Sequence, residues 1–132
     1  MRWTCPSCDR EFGRANAAHT CAPGTTVDAV FAPHPPYMRA VYDEVLARLR
    51  ESGPVHEDAV TVGVFLKARR KIAEVRPMAR SLRVWLLLPH EVPGRRAVRA
   101  SADFWAVDLR FTSAEVDDDV LALLDEAYDA AA

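Results

Sequence analysis

The feature that most constrains this chain is a cluster of cysteine and histidine within its first 21 residues. Cys5-Pro6-Ser7-Cys8 is a C-x-x-C pair, and His19-Thr20-Cys21 follows it after ten intervening residues. The chain has three cysteines, and all of them belong to this cluster. Four soft or borderline ligands in one short segment are what a closed tetrahedral zinc site requires. We therefore predict a structural Zn²⁺ ion bound by Cys5, Cys8, His19 and Cys21.

Such a site favours a structural metal over a catalytic one. A catalytic zinc ion keeps one coordination position for water or substrate, whereas protein side chains would fill all four positions here. The odd cysteine count argues against a disulfide framework. The N-terminus has no apolar signal-peptide core. The longest apolar run of the later part, residues 84–88, is too short to cross a membrane. We predict a cytoplasmic protein.

Proline and glycine mark the boundary between two parts of the chain. The segment 22–26 contains Pro23-Gly24 and is typical of a short linker. We predict a zinc-binding finger-like module at residues 1–25 and an α+β domain at residues 26–132. In the module, Trp3 and Phe12 are placed to form a small apolar core under a hairpin. So little apolar surface cannot fold the segment alone, and zinc would supply the missing free energy, on the order of 10 kcal/mol.

Hydrophobic spacing predicts the second part as strands grouped between two helices. Pro35-Pro36 opens a helix that Gly53-Pro54 ends. Four alternating segments predict strands at 59–67, 71–76, 82–88 and 103–111, the first of them bent or broken at Gly63. Residues 91–101 are predicted as a loop. The fold class is therefore α+β, an antiparallel sheet of about four strands flanked by two helices.

The start of the closing helix carries its own signal. Thr112-Ser113-Ala114-Glu115 fits a capping box, in which Thr112 and Glu115 each satisfy a backbone N–H. The acidic residues 117–119 then lie near the positive end of the helix dipole. We interpret this acidic run as helix-start chemistry, not as a metal site.

The net charge of −2 conceals a strong asymmetry. Residues 67–99 contain ten Lys or Arg and two Glu, while residues 100–132 contain one Arg and nine acidic residues. Two solvated faces that attract each other explain this pattern, and a basic face for a phosphate-bearing partner is the other explanation. The candidate nucleic-acid or anion ligands are Lys67, Arg69, Arg70, Lys71, Arg76, Arg83, Arg95 and Arg96.

Strand alternation also predicts an outer sheet face that mixes cations with aromatic rings. If Leu82, Val84, Leu86 and Leu88 face the helices, Arg83 and Trp85 face the other way. Phe65 and Lys67 join them by the same parity. Such a surface stacks bases and pairs phosphates. An interface with the zinc module, a loop or a second subunit explains the same rings, so both interpretations stay open.

The motif search favours binding over catalysis. The chain contains no phosphate-binding glycine loop, no nucleophile elbow and no H-E-x-x-H. His34, His56 and His90 have no spacing relation to one another. We therefore predict a non-enzymatic binding protein without a membrane partner, and nucleic acid is its best-motivated partner. A protein-interaction or homodimerisation module is the alternative, and an enzyme acting on a small ligand is the third.

The pattern W-x-C-P-x-C, then F, then N-x-x-H-x-C is read here at Trp3, Cys5-Pro6-Ser7-Cys8, Phe12, Asn16, His19 and Cys21. It resembles the N-terminal zinc-finger-like segment of bacterial members of the domain of unknown function family 5655. Residues 30–36, 60–75, 82–88 and 120–128 are similar to the domain of that family. The resemblance implies the α+β fold and no established activity. The strand order and closing helix are also similar to MmcQ/YjbR-type α+β proteins, which are proposed DNA binders.

Overall fold

A six-stranded antiparallel sheet with its helices on one face forms the main body of the protein. The computed structural model describes residues 2–6, 10–18 and 24–132. The helices are α1 Val27–Phe31, α2 Pro36–Ser52 and α3 Asp118–Ala131. The strands are β1 Trp3–Thr4, β2 Glu11–Phe12, β3 His56–Val60, β4 Gly63–Lys67, β5 Lys71–Pro77, β6 Leu82–Leu88, β7 Ala97–Arg99 and β8 Trp105–Phe111. This confirms the predicted α+β class.

The sheet has the strand order β3-β4-β5-β6-β8-β7. Its inner face packs against α2 and α3, and the buried residues alternate along the central strands as the period of two requires. On β6 they are Leu82, Val84, Leu86 and Leu88, as predicted, and Trp85 lies on the outer face with Arg83. The helices supply the other half of this core, including the stripe Met38, Val41, Val45 and Leu49 of α2.

The strand count differs from the predicted four. The predicted strand 59–67 is a hairpin of β3 and β4, joined at residues 61–62, with Val60 opposite Gly63. The turn reverses which alternate residues face the core: Ala59 of β3 and Val64 of β4 are part of it, whereas Val60 is not. Val62, in the turn itself, is exposed. The predicted loop 91–101 also contains β7, three residues long, which pairs with β8 at the sheet edge.

The helices differ in two respects. A third helix, α1, precedes α2, and the Thr26 hydroxyl caps it by accepting from the Ala29 N–H at 3.1 Å. The predicted capping box at 112–115 is wrong. Asp117 is extended, and its carboxylate accepts from the Val120 N–H at 2.9 Å, so α3 begins at Asp118. The acidic run still caps and opens the helix, as its position near the dipole's positive end favours.

The N-terminal segment begins with the predicted hairpin. Trp3 of β1 pairs with Phe12 of β2, and their ring centroids lie 6.1 Å apart. The Cys5 N–H donates to the Arg10 carbonyl at 2.9 Å, which closes the hairpin, and Cys5 is buried. The other predicted zinc ligands, Cys8, His19 and Cys21, lie outside the described residues. Gly24 then forms a bridge to Val60 at the edge of the sheet.

None of the helices in the described part of the chain is both long and apolar enough to cross a membrane.

Gly63 is the position where the sheet leaves least room for a side chain. A Cβ there would lie 2.3 Å from the Val75 carbonyl oxygen, which is backbone and fixed in the neighbouring strand. We predict that Gly63→Ala lowers the free energy of unfolding by about 1–3 kcal/mol, because β4 and β5 must separate to admit the methyl group. Urea denaturation followed by circular dichroism measures the change.

Gly13→Ala is the matched control, since a Cβ at Gly13 meets no heavy atom of the described residues within 4 Å. It should change the free energy of unfolding by less than about 0.5 kcal/mol. Equal destabilisation by the two variants would contradict the packing argument.

Candidate functional site

The N-terminal hairpin is attached to the outer face of the sheet through Asp58 of β3. The Arg10 guanidinium donates to both Asp58 carboxylate oxygens, Nε at 3.1 Å and Nη2 at 3.0 Å. The Lys67 ammonium donates to the same carboxylate at 2.8 Å. Asp58 is 4% exposed and Arg10 8%, so this contact is closed to water. Charged groups are buried this deeply almost only when they are paired.

Aromatic rings enclose these charges from both sides. Phe12 of the hairpin lies 4.7 Å from the Lys67 ammonium and 5.2 Å from the Arg10 guanidinium, measured to its ring centroid. Phe65 of the sheet lies 5.8 Å from Lys67 and 5.9 Å from Arg10. Cations over desolvated ring faces are held by the ring quadrupole in addition to their ion pairs. The hairpin therefore docks through a layer of charge between two aromatic side chains.

The protonation of Asp58 reflects a balance of opposing effects. Burial raises the pKa of the carboxyl group, while the hydrogen bonds from Arg10 and Lys67 lower it, and the net result is a pKa below the ordinary value. Asp58 is therefore ionised at neutral pH, and its charge holds the two cations together. This pair cannot be predicted from residue spacing, because 48 residues separate Arg10 from Asp58.

Three of the eight predicted basic ligands are engaged in ion pairs on the outer face. Lys67 bonds Asp58, Arg76 lies 3.2 Å from Glu74, and Arg83 binds both oxygens of Asp108 across to β8, with Nε at 2.9 Å. These carboxylates balance the positive charge of the sheet's middle. The outer face therefore carries less free positive charge than the strand pattern implies.

Three further predicted ligands lie together where the turn after β4 leads into β5. Arg69, Arg70 and Lys71 are exposed, and none of them pairs with a carboxylate among the described residues. Arg70 lies over the Phe104 ring at 5.7 Å and Lys71 over Phe65 at 5.2 Å.

Arg99 at the end of β7 lies at this same end of the sheet, since it pairs with Trp105 and Trp105 pairs with Leu88. Its guanidinium lies over the Trp105 ring at 5.0 Å and donates to the Ala102 carbonyl at 2.9 Å. We name Arg69, Arg70, Lys71 and Arg99 the basic end. The sequence did not single out Arg99 as a ligand, because the strand that positions it is only three residues long.

Arg95 and Arg96 do not join this group. They precede β7, where the Arg96 carbonyl accepts from the Asp108 N–H at 2.8 Å, and Arg95 lines a cleft with Arg110 and Asp117. Arg110 pairs with Arg83, toward the opposite end of the strands from Leu88. The eight predicted ligands are thus divided between the two ends and the paired middle of the sheet.

An open groove of about 370 Å³ runs across the outer face beside the basic end. Trp85 lies in it half-buried, with the Arg83 guanidinium 4.8 Å and the Arg76 guanidinium 5.9 Å from its ring. Val98 on the far wall is 60% exposed. We name this the Trp85 groove, and its lining is Lys71, Glu74, Arg76, Trp85, Leu87, Val98, Ala100 and Ala106. Lys71 belongs to both the groove and the basic end.

Two other side-chain pairs contain a group whose pKa is shifted. The Tyr42 hydroxyl donates to Glu57 at 2.6 Å, and burial together with this hydrogen bond raises the pKa of Tyr42 far above its usual range. His90 contacts Glu126 of α3, and its hydrogen bonds with the Glu91 carbonyl and the Glu126 carboxylate raise the pKa of His90. Both pairs join separate elements, β3 to α2 and the loop after β6 to α3.

Within the described residues, no three His, Cys, Asp or Glu side chains lie close enough to hold a metal ion. Three of the four predicted zinc ligands lie outside those residues.

The family model for a domain of unknown function, DUF5655, matches residues 27–131. The chain belongs to the DUF5655 family. The comparison with curated proteins and the comparison with solved structures gave no significant match. The family domain includes Asp58, Lys67 and the basic end, while Arg10 and its hairpin precede it. The similarity to MmcQ/YjbR-type proteins stays a prediction.

Removing the Asp58 charge should release the hairpin. We predict that Asp58→Asn lowers the free energy of unfolding by about 3 kcal/mol at neutral pH, because the docked hairpin would then bury Arg10 without its counter-ion. The environment of Trp3 should change at the same time, which NMR of the indole N–H measures. Asp43→Asn is the control, since Asp43 is exposed and pairs with Arg39 within one helix. It should cost less than about 0.5 kcal/mol.

The difference in stability between wild type and Asp58→Asn should depend on pH in one direction. Because the pKa of Asp58 is lowered in the folded protein, its contribution to stability is complete above the unfolded-state pKa of about 4. This contribution is lost as the pH falls through the folded-state pKa of Asp58. The gap between wild type and Asp58→Asn should therefore narrow in acid. A gap that stays constant down to the acid limit of folding would contradict the role of the charge.

Proposed function

We propose that this DUF5655 protein is a non-enzymatic binding protein that holds single-stranded nucleic acid on the basic end and in the Trp85 groove. The observation that carries the proposal is the position of exposed cations beside an open groove with an aromatic floor. These cations have no carboxylate partner among the described residues, so their charge is available to a ligand.

The dimensions of the site support a strand of a few nucleotides. Lys71 on β5 and Arg99 on β7 are separated by β6 and β8, so three interstrand spacings place them about 14 Å apart. Phosphates along an extended strand are then able to meet several of these cations in turn. Arg99 shares the inner face with its register partner Trp105, so a bound strand would pass around the end of the sheet to reach it. The groove on the outer face, beside Lys71, offers Trp85 and Leu87 to a base. Base stacking on an aromatic ring tolerates any sequence, because every base has a π-face.

We also propose that Cys5, Cys8, His19 and Cys21 in the N-terminal segment bind one structural Zn²⁺ ion. Two features of the described residues fit it: Cys5 is buried at the closed end of the hairpin, and the Trp3–Phe12 pair supplies only a small apolar core. When bound, the metal supplies the folding free energy that this core lacks. Thiolate ligands need a reducing compartment, and on that ground we propose the cytoplasm.

The binding test uses the full chain and a fluorescent oligothymidylate, with anisotropy measured across a salt series. We predict salt-dependent binding, and about tenfold weaker binding for the double variant Arg70→Gln/Lys71→Gln. Because each phosphate contact contributes about 0.7 to the slope of log affinity against log salt, this variant should lose about 1.4 of the slope. Trp85→Leu should weaken binding without changing the slope, because stacking releases no counter-ions.

The double variant Arg14→Gln/Arg80→Gln is the control, since it removes the same charge from exposed residues outside the site. Equal losses of affinity in the two double variants would mean that binding depends on the overall charge and not on the basic end. No salt-dependent affinity at about 50 mM salt would overturn the proposal. In that case a molar mass that rises with concentration in light scattering would favour the alternative, a homodimer formed through exposed Val98 and the groove.

Elemental analysis should find one zinc per chain. Cys8→Ser should lose the metal and disorder residues 2–18, because one thiolate of the closed site is missing, while the family domain stays folded. Ser7→Ala, a neighbour that is not a proposed ligand, should keep the metal. Zinc-free wild-type protein with an unchanged Trp3 signal would contradict the zinc site.

A further inference from the structure

A second cavity lies where the N-terminal hairpin meets the family domain, on the other side of the basic end from the Trp85 groove. Its volume is about 510 Å³. Its walls come from Arg2 of the hairpin segment, from β3 and β4, from the turn that follows β4 and from the end of α3. The lining is Arg2, Pro54, Val55, His56, Lys67, Ala68, Arg69, Tyr128 and Ala132.

The charged side chains that line this cavity are all basic. Arg2 and Arg69 are exposed, and neither has a carboxylate partner among the described residues. Lys67 contributes one donor to Asp58 and keeps two more N–H groups. Pro54, Val55 and Ala68 are apolar, and the Tyr128 hydroxyl already donates to the Pro54 carbonyl at 3.1 Å.

His56 also lines this cavity, and its pKa is shifted. Its pKa is lowered by burial and by the Arg2 and Lys67 charges, against a smaller opposite effect of Glu11 and Asp58. Because burial is the largest of these causes, the lowered pKa shows mainly that the ring is neutral at pH 7, and the preference of the cavity for an anion rests on Arg2, Arg69 and Lys67. The neutral ring still has one N–H to donate.

We propose that this cavity is a binding site for a small phosphate-bearing molecule, held by Arg2, Arg69 and Lys67 with His56 as a further donor. Guanidinium groups match phosphate oxygens in a bidentate geometry, and two of them from different segments clamp the anion from two sides. The apolar wall of Pro54, Val55 and Ala68 accommodates the rest of the molecule. The site shares Arg69 with the basic end, but Arg70, Lys71 and Trp85, whose variants test the nucleic-acid surface, do not line this cavity.

The cavity depends on the docked hairpin, because Arg2 precedes the family domain. A bound phosphate that bridges Arg2 to Arg69 therefore stabilises the docked arrangement by mass action. The Asp58 carboxylate and the ligand act on the same equilibrium, one through Arg10 and the other through Arg2.

The experiment titrates the full, zinc-reconstituted chain with inorganic pyrophosphate at constant ionic strength. NMR follows the His56 ring signals and the Trp3 indole N–H. We expect saturable shifts with a dissociation constant on the order of 1 mM or tighter. Arg2→Gln and Arg69→Gln should each weaken binding about tenfold, whereas Arg80→Gln, at the opposite end of the sheet, should leave it unchanged. A parallel titration with adenosine 5′-monophosphate distinguishes a free phosphate from a nucleotide by which of the two binds more tightly.

Asp58→Asn separates a built cavity from simple charge attraction. Removing this negative charge should strengthen a purely electrostatic attraction, but should weaken a site that needs the hairpin to position Arg2. We expect weaker binding of pyrophosphate. Stronger binding by Asp58→Asn, shifts that do not saturate, or equal losses in Arg2→Gln and Arg80→Gln would overturn the proposal. Loss of oligothymidylate binding alone would leave it standing, because the variants that test that surface do not line this cavity.

Discussion

The Asp58 carboxylate is the interaction on which the arrangement of this protein depends. Desolvating a carboxylate and a guanidinium costs several kcal/mol for each ion, and only close hydrogen-bonded geometry offsets that cost. Asp58 meets this condition with two cations from different parts of the chain, Arg10 of the hairpin and Lys67 of the neighbouring strand. A single buried anion thus specifies where the hairpin lies. Because Arg2 lies next to that hairpin, the same anion also determines what lines the cavity beside it.

Strand geometry then separates the cations that are neutralised from those that stay available. A residue in the middle of a sheet has cross-strand neighbours within reach of its side chain, and opposite charges pair there. Arg83 follows this rule with Asp108, directly beside its register partner Arg110. Arg69 and Arg70 lie in a turn without such neighbours, and Lys71, at the first position of β5, faces another cation, Lys67, so all three stay exposed. The cations without a carboxylate partner among the described residues are therefore found where strands end, although the sequence places basic residues along several strands.

The sequence predicted the elements whose hydrophobic period is long and uninterrupted. The strands β5, β6 and β8 and the helix α2 have enough buried positions to define period and face. The sequence predicts a bend or break at Gly63 but not the two-stranded β3–β4 hairpin, because the turn residues Thr61 and Val62 are not turn formers and continue the alternation. The strand β7 is too short to show a period. For the site, the sequence identified Arg70 and Lys71, but not the pairing of Arg10 with Asp58, because opposite charges far apart in sequence have no pattern that joins them.

The hairpin lies outside the family domain, so the groups that it adds can be separated from those of the domain. Residues 27–131 contain both Asp58 and Lys67, so the domain alone retains an ion pair at this position. The hairpin adds Arg10 to that pair, Phe12 to the layer of rings, and Arg2 to the cavity. Each added group is a cation or a ring that cations contact, and each lies near the edge strand of the sheet. The N-terminal segment therefore adds two cations at this edge, against its own Glu11, and buries the Asp58 carboxylate. A hairpin that served only to cover apolar surface would not need Arg2 and Arg10, so these two residues support the proposed anion site.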